Sequence, residues 1–356
     1  MSKWVNTKLK VLFVAGPGDF NMQAGGEVQL VKTMEYLKKL NVEVDFFSPF
    51  KTKLSDYNII HIFGPSAFPM WSYLLAEKAK KQGVKVVVST IFWLTSYNNK
   101  TLLYLVKTGM VSKFMFSFGK YIPLFGMAYL KNLFEQSDIL LPNTQEEEQI
   151  IKHLFNINSN KFCVIPNGVD KAFKKGKGTL FYKKYKTKDF ILFVGRVEKR
   201  KNVLQLIKEF KKAKIGAKLV IIGARSENAY CKSCMESADD NVLFLDPIPH
   251  DSELLKSAYK ACDTLILPSN VETPGLVALE AGLSGAKIAI TEIGGTKEYF
   301  GNYATYINPF KTLSIKKAVI NSFVLRKNKK LSNMILKRFT WEIVAEKTLE
   351  AYRKIL

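Results

Sequence analysis

Two carboxylates eight positions apart, Glu272 and Glu280, flank the pair Pro274-Gly275 in the stretch VETPGLVALEAG. Residues 263–267 read as a short buried strand ended by Pro268 and Ser269, and residues 276–283 read as a helix. The first acid therefore falls in the connecting loop and the second on the helix. Gly275 has no side chain to keep a ligand off the backbone, and the free N–H groups of the first helical turn, at Gly275, Leu276 and Val277, then point at that ligand. Such an entrance binds anions, phosphate above all. At about 1.5 Å of rise per residue, Glu280 lies roughly 6 to 8 Å below those amides, within reach of a ribose on the same phosphate. One carboxylate can accept hydrogen bonds from two neighbouring hydroxyls. Glu280 is thus expected to hold a ribose, and Glu272, on the open side, a second sugar.

A phosphate at that entrance calls for cations opposite it. Residues 190–194 read as another buried strand, followed by Gly195-Arg196 and then by Lys201 just before a helix over 203–213. The glycine lets the turn tighten, and two cations near a helix N-terminus complete a cradle for a diphosphate.

The elements that must position these groups alternate. Short β-rich runs at 10–15, 42–47, 59–63, 84–89, 138–141, 161–165, 190–194, 218–223, 242–245, 263–267 and 286–290 are separated by helical patterns, which argues for α/β architecture with parallel, doubly covered sheets. The opening strand, glycine turn and helix, with Val28, Leu30, Val31, Met34 and Leu37 at helical spacing, form a Rossmann-like start. The fingerprint G-x-G-x-x-G is not met, because Asn21 stands third after Gly16 and Gly18.

A chain of 356 residues that is 47% apolar is more than one core usually serves, so two domains are expected. Four irregularly spaced cysteines make no disulfide framework and fit a reducing cytoplasm; Cys231 and Cys234, without a second pair, are expected as plain thiols on a surface helix. The apolar run 11–15 is too short for a signal peptide, and nothing approaches the roughly 20 apolar residues of a membrane span, so a soluble chain is expected. The three histidines, His61, His153 and His250, do not pair at ligand spacing, so no metal is expected. His250 is expected to be incidental.

The formal charge of +23 is concentrated: residues 171–218 carry 17 Lys or Arg against three acids. Such a block suits a diphosphate, anionic lipid, nucleic acid or a solvated surface. Nucleic acid is disfavoured, because the aromatics lie far from the basic block in sequence and no reader motif appears. Residues 91–130 interleave aromatics such as Trp93, Tyr104 and Phe116 with lysines. That pattern is expected to touch an anionic membrane surface or a lipid-linked acceptor, the competing account being a helical pair buried under the sheet.

The strings ETPGLVALEAGLSG, IPNGVD at 165–170 and FVGRVEKRKN at 193–202, in that relation along the chain, resemble the retaining glycosyltransferases of family 4, with glycosyl transferases of group 1. The resemblance implies the GT-B fold: two Rossmann-like domains facing across a cleft, with a C-terminal helix crossing back to the first. The expected division is an acceptor domain over 1–170, a basic linker over 171–188, a nucleotide-sugar domain over 189–339 and the crossover helix over 340–356. It implies a metal-independent, retaining hexosyltransferase that needs no cofactor. Its donor would be a UDP- or GDP-sugar and its acceptor a glycan or lipid-linked sugar, as in cell-surface polysaccharide assembly, with a cytoplasmic or peripheral membrane location.

Under the resemblance Arg196 and Lys201 are the diphosphate-binding pair and Glu272 is catalytic. Glu280, Gly275, Leu276, Val277 and Gly195 bind donor, as do Gly25 and Gly26, unless that pair only permits a tight helix entry. His61, near the carboxyl end of its strand, either contacts the acceptor or is a hydrogen-bonded core histidine. Many relatives carry a further histidine where this chain reads Ser89-Thr90-Ile91-Phe92-Trp93. A nucleotide-sugar epimerase or a phosphorylase of the same fold is the alternative reading.

Overall fold

The structure is a computed structural model that describes residues 8–16, 25–93, 121–324, 327 and 329–356. The chain divides into two compact units, one formed by Met1–Gly168 with Trp341–Leu356 and the other by Val169–Thr340.

In the first unit, β1 (Lys10–Val14), β2 (Glu43–Phe46), β3 (Ile59–Phe63), β4 (Lys85–Ser89) and β5 (Ile139–Leu141) form a parallel sheet in the order β2-β1-β3-β4-β5. Helices on both faces bury its side chains, which is why runs such as IIHIF carry no alternation. The helix Gln145–Phe155 shows how local sequence sets a boundary. Thr144 accepts from the Glu147 amide, three acids occupy the first turn, and Asn156 ends the helix at a φ of 57°. The last helix, Trp341–Arg353, packs on Gly25–Lys39 and buries Trp341 and Tyr352 completely in this unit. Gly168 is where the chain leaves: a Cβ there would come within 2.7 Å of the Trp341 ring.

In the second unit, β6 (Ile191–Val194), β7 (Leu219–Ile222), β8 (Val242–Leu245), β9 (Thr264–Leu267), β10 (Lys287–Thr291) and β11 (Ala304–Ile307) form a parallel sheet ordered β11-β10-β9-β6-β7-β8. The chain builds outward from β6 in one direction and then from β9 in the other. The reversal falls between those two neighbours, and open α/β sheets bind ligands beyond the strand ends at such a point.

The expected linker over 171–188 is corrected. Lys171–Lys175 and Thr179–Tyr185 are helical, and Phe173 and Phe181 are fully buried in the second unit's core. Phe181 stacks on Phe190 at 5.1 Å and lies 4.7 Å from Tyr185, so apolar burial at two positions outweighs the solvation of the lysines around them. Strand 161–165 is also absent as such: Phe162 makes one isolated bridge to Leu140. Within the expected membrane-contacting stretch 91–130, residues 94–120 lie outside the described residues.

Candidate functional site

At the carboxyl end of β6 the loop 195–202 carries Arg196 and Lys201, and at the carboxyl end of β9 the loop 268–275 carries Glu272. They meet at the strand-order reversal. The Asn270 amide donates to the Arg200 carbonyl at 2.9 Å, and Lys201 Nζ lies 2.6 Å from Glu272 Oε1. Ser269 Oγ donates to the same oxygen at 2.6 Å. Glu272 Oε2 lies beside Gly275, where an added Cβ would come within 3.3 Å of it. Burial alone opposes charge on Glu272, but the Lys201 ammonium and the Ser269 hydroxyl outweigh it and hold the carboxyl below the usual carboxylate range. The acid is therefore a buried, ionised acceptor with a fixed orientation.

Gly275 adopts a φ of 79°, open to glycine and costly to other residues, and starts the helix Leu276–Ser284 with no side chain capping it. The N–H groups of that first turn are the ones the sequence pointed to. A second glycine secures the loop from below: Gly294, at a φ of 98°, packs so closely that a Cβ would lie 2.1 Å from the Glu272 carbonyl oxygen, while the Glu272 amide donates to the Ile293 carbonyl at 3.2 Å. Gly195 and Gly223, at the ends of adjacent strands, also back onto each other, with room for no Cβ on Gly223 against the Gly195 carbonyl.

Of the two expected cations, only Lys201 touches Glu272. Arg196 is half-exposed and faces Glu198, Nε to Oε2 3.6 Å, and Glu198 also pairs with Arg200 at 2.9 Å. Arg196 thus shares its loop with Lys201 while its guanidinium stays available to solvent.

Glu280 is 3% exposed, and both of its oxygens are engaged: Oε1 with His250 Nε2 at 2.6 Å, Oε2 with the Tyr259 hydroxyl at 2.7 Å. This corrects the reading of His250 as incidental. Burial opposes its protonation, yet the hydrogen bond and charge of Glu280, together with Asp251 at 3.1 Å, raise its pKa above 6.5. Burial, reinforced by Glu280, raises the Tyr259 pKa well above the usual phenol value, so it remains a donor. His250, Tyr259, Ser269 and Gly294 escaped sequence reasoning. The doublet Gly294-Gly295 after an apolar strand was the one signal present; the others depend on residues remote in sequence or on a serine that reads only as a strand terminator.

His61, Gly25 and Gly26 belong to the first unit. His61 is 1% exposed, its Nδ1 bonded to the Tyr352 hydroxyl at 2.6 Å and its Nε2 to Ser89 Oγ at 2.9 Å. Both ring nitrogens are taken, and burial lowers its pKa to about 3, so the expected acceptor contact is replaced by the core histidine. Gly25 opens the helix Gly25–Lys39, and the space where a Gly26 side chain would project is open; the turn before them, 17–24, lies outside the described residues. Cys231 and Cys234 are free and buried on the helix Ala229–Glu236, inward rather than surface thiols.

Two Rossmann-like units with parallel sheets, the first completed by the chain's last helix, define a protein of the GT-B fold class. Residues 181–335, which include the whole Lys201–Glu272–Glu280 constellation, match the family described as Glycosyl transferases group 1. The chain is similar to an uncharacterized glycosyltransferase of Methanocaldococcus jannaschii, 26% identical over 254 residues, covering 64% of this chain and 62% of that one. It is also similar to a D-inositol 3-phosphate glycosyltransferase of Segniliparus rotundus, 29% identical over 176 residues, 46% of this chain and 39% of the relative. The matched regions thus span less than two thirds of either relative. Among solved structures, sucrose-phosphate synthase from Thermosynechococcus elongatus superposes with a TM-score of 0.74 at 17% identity, over 98% of this chain and 99% of that one. HepE of Anabaena in complex with UDP-glucose gives 0.70 at 16% identity, over 97% of this chain and all of the other.

Proposed function

We infer that this chain is a glycosyltransferase that moves a sugar from a nucleoside-diphosphate sugar, a UDP- or GDP-sugar, to a hydroxyl of a glycan or lipid-linked acceptor. One observation carries the reading: the buried ion pair of Lys201 and Glu272 stands beside an uncapped helix N-terminus at the strand-order reversal of the second unit. The group 1 match over 181–335 and the UDP-glucose complex of a protein of the same fold support it.

When the bond from the sugar's anomeric carbon to the phosphate oxygen breaks, its electron pair leaves with the diphosphate. Negative charge grows there and positive charge on the sugar. Arg196, Lys201 and the amides of Gly275, Leu276 and Val277 favour the first, and Glu272 holds the sugar's hydroxyls with its negative charge near the second. Glu280 accepts the ribose hydroxyls, with His250 and Tyr259 holding its carboxylate in place. Retention of anomeric configuration follows if the departing phosphate takes the proton of the incoming hydroxyl on the face it has just left. The basic surface favours an anionic or membrane-bound acceptor.

Replacing Glu272 by Gln should lower transfer by roughly a hundredfold or more while leaving UDP or GDP binding within a few-fold. Turnover of a panel of nucleotide sugars with a lipid-linked sugar acceptor checks this, and an active variant would refute the role given to Glu272. Epimerised donor without transfer would favour the epimerase alternative.

A further inference from the structure

One face of the second unit is built from two adjacent helices, Val203–Ala213 and Thr312–Val324, which pack side by side over the sheet. Asn202 pins their starting ends together, its Nδ2 donating to the Pro309 carbonyl at 2.9 Å. Their inner sides are ordinary core: Leu206, Ile207 and Phe210 on one, Ile315, Ala318 and Val319 on the other.

The outer sides are not ordinary. Leu313, Ile320 and Val324 are 69%, 39% and 71% exposed. At 3.6 residues per turn these three, with exposed Lys317, fall within an arc of about 60° on one helix face. Phe310, at the start of the same segment, is 52% exposed. The neighbouring helix and its exit present exposed lysines at 208, 214 and 218, with Lys211 and Lys212 also exposed but held on the Ser237 carbonyl at 2.9 Å and on Glu209. The single acid of the two helices, Glu209, is buried and spent on Lys212 at 2.7 Å. From Tyr299 to Trp341 the sequence contains nine Lys or Arg and no Asp or Glu at all.

We propose that this face docks on an anionic lipid bilayer, Leu313, Ile320 and Val324 entering the headgroup region and the lysines of both helices meeting the lipid phosphates. A helix with aliphatic side chains along its outer face and cations beside them, lying flat on a surface, is how an interfacial helix binds. Each lysine near an anionic leaflet adds to the attraction, and salt removes it. A purely charged partner such as a nucleic acid leaves the aliphatic stripe unused; a bilayer uses both. The assignment also explains the second half of the basic block: residues 208–218 serve this face, while Arg196 and Lys201 belong to the donor loop. It does not depend on the reaction proposed above.

The test is co-sedimentation of the full chain with vesicles of phosphatidylglycerol and phosphatidylcholine, and with phosphatidylcholine alone, at low and high salt. UDP binding and the thermal midpoint are measured in parallel. The wild type should sediment with the anionic vesicles only, and less at high salt. The triple variant Leu313→Ser, Ile320→Ser, Val324→Ser and the charge variant Lys208→Glu, Lys317→Glu should each bind at least about fivefold more weakly, with the midpoint unchanged in the charge variant and lowered by no more than a few degrees in the triple variant, where Ile320 is the most covered of the three positions. Three results would overturn the proposal: a wild type that ignores anionic vesicles, variants that bind them as well as the wild type, or an apolar variant that instead dissolves a wild-type dimer, which would make the stripe a contact between copies. A chain that binds vesicles but not UDP would strike the donor-site reading and leave this one standing.

Discussion

Glu272 and Glu280 are the same side chain with different partners, and the difference is measurable through pH. Glu272 is held ionised by Lys201, so the stability it contributes is present above its ordinary pKa of 4.5 and is lost only as pH falls through its depressed folded value. His250 on Glu280 runs the other way. Its folded pKa is raised above 6.5, so its contribution is complete below 6.5 and disappears as pH climbs through the folded value. His61 has a third behaviour: burial keeps it neutral down to about 3, so the unfolded chain alone takes up its proton below 6.5 and the fold loses stability as pH falls. Comparing the wild type with His250→Gln cancels the first and third groups. The difference in unfolding free energy, from urea titrations between about pH 5.5 and 8.5, should be largest at the acid end and shrink above 6.5. A difference that is flat with pH would mean that His250 carries no charge beside Glu280. The strand, glycine and helix pattern around the two acids made their places legible, one in the loop and one on the helix, while their pairing as a site came from the resemblance of the surrounding strings and not from spacing alone. Their partners were not legible, since His250 and Tyr259 lie 30 and 21 residues from Glu280 and no local period links them.

At the scale of elements, most helices and strands were legible because apolar periodicity is dense in them. The expected helix over 203–213 and the strand over 263–267 match Val203–Ala213 and Thr264–Leu267 closely. The segment 171–188 was not legible. Lysine and glycine dominate it, and two phenylalanines among eight lysines give no period, yet Phe173 and Phe181 are 1% and 0% exposed. Burial of one large ring can fix a short helix that composition alone would leave as a tether. Phe181→Ala should therefore cost about 3–5 kcal/mol of the second unit's stability, read by denaturant unfolding. A true linker would tolerate the change at no measurable cost, so an unshifted midpoint would show that the ring does not anchor the helix. Gly294 belongs to the same lesson. Its importance comes from the backbone of Glu272 passing against it: the glycine doublet marks a tight turn in the sequence, but not which loop lies against it.

Across the whole molecule, alternating strands and helices fixed the class of sheet but not the strand order, because crossover direction is decided by packing. The reversal between β6 and β9, which brings Lys201 to Glu272 across 71 residues, is visible only in three dimensions. The same holds for the closure of the first unit by the chain's far end. Tyr352 and His61, 291 residues apart, share a buried hydrogen bond of 2.6 Å that ties the last helix to the centre of the sheet. Burial keeps the imidazole neutral and raises the Tyr352 pKa well above the phenol range, so the bond persists at every working pH. In Tyr352→Phe the ring packing remains and only the hydroxyl goes, leaving one His61 nitrogen buried without its partner. Such a group costs about 1–3 kcal/mol, and the loss should appear in the unfolding of the first unit, followed by Trp341 fluorescence in a variant with the other tryptophans replaced. UDP affinity should stay unchanged, because the side chains proposed to hold the donor, Arg196, Lys201, Glu272 and Glu280, lie in the second unit. If Tyr352→Phe were as stable as the wild type, the last helix would be held by the apolar packing of Trp341 and Val344 alone; if it lost UDP binding, the donor site would depend on the state of the first unit.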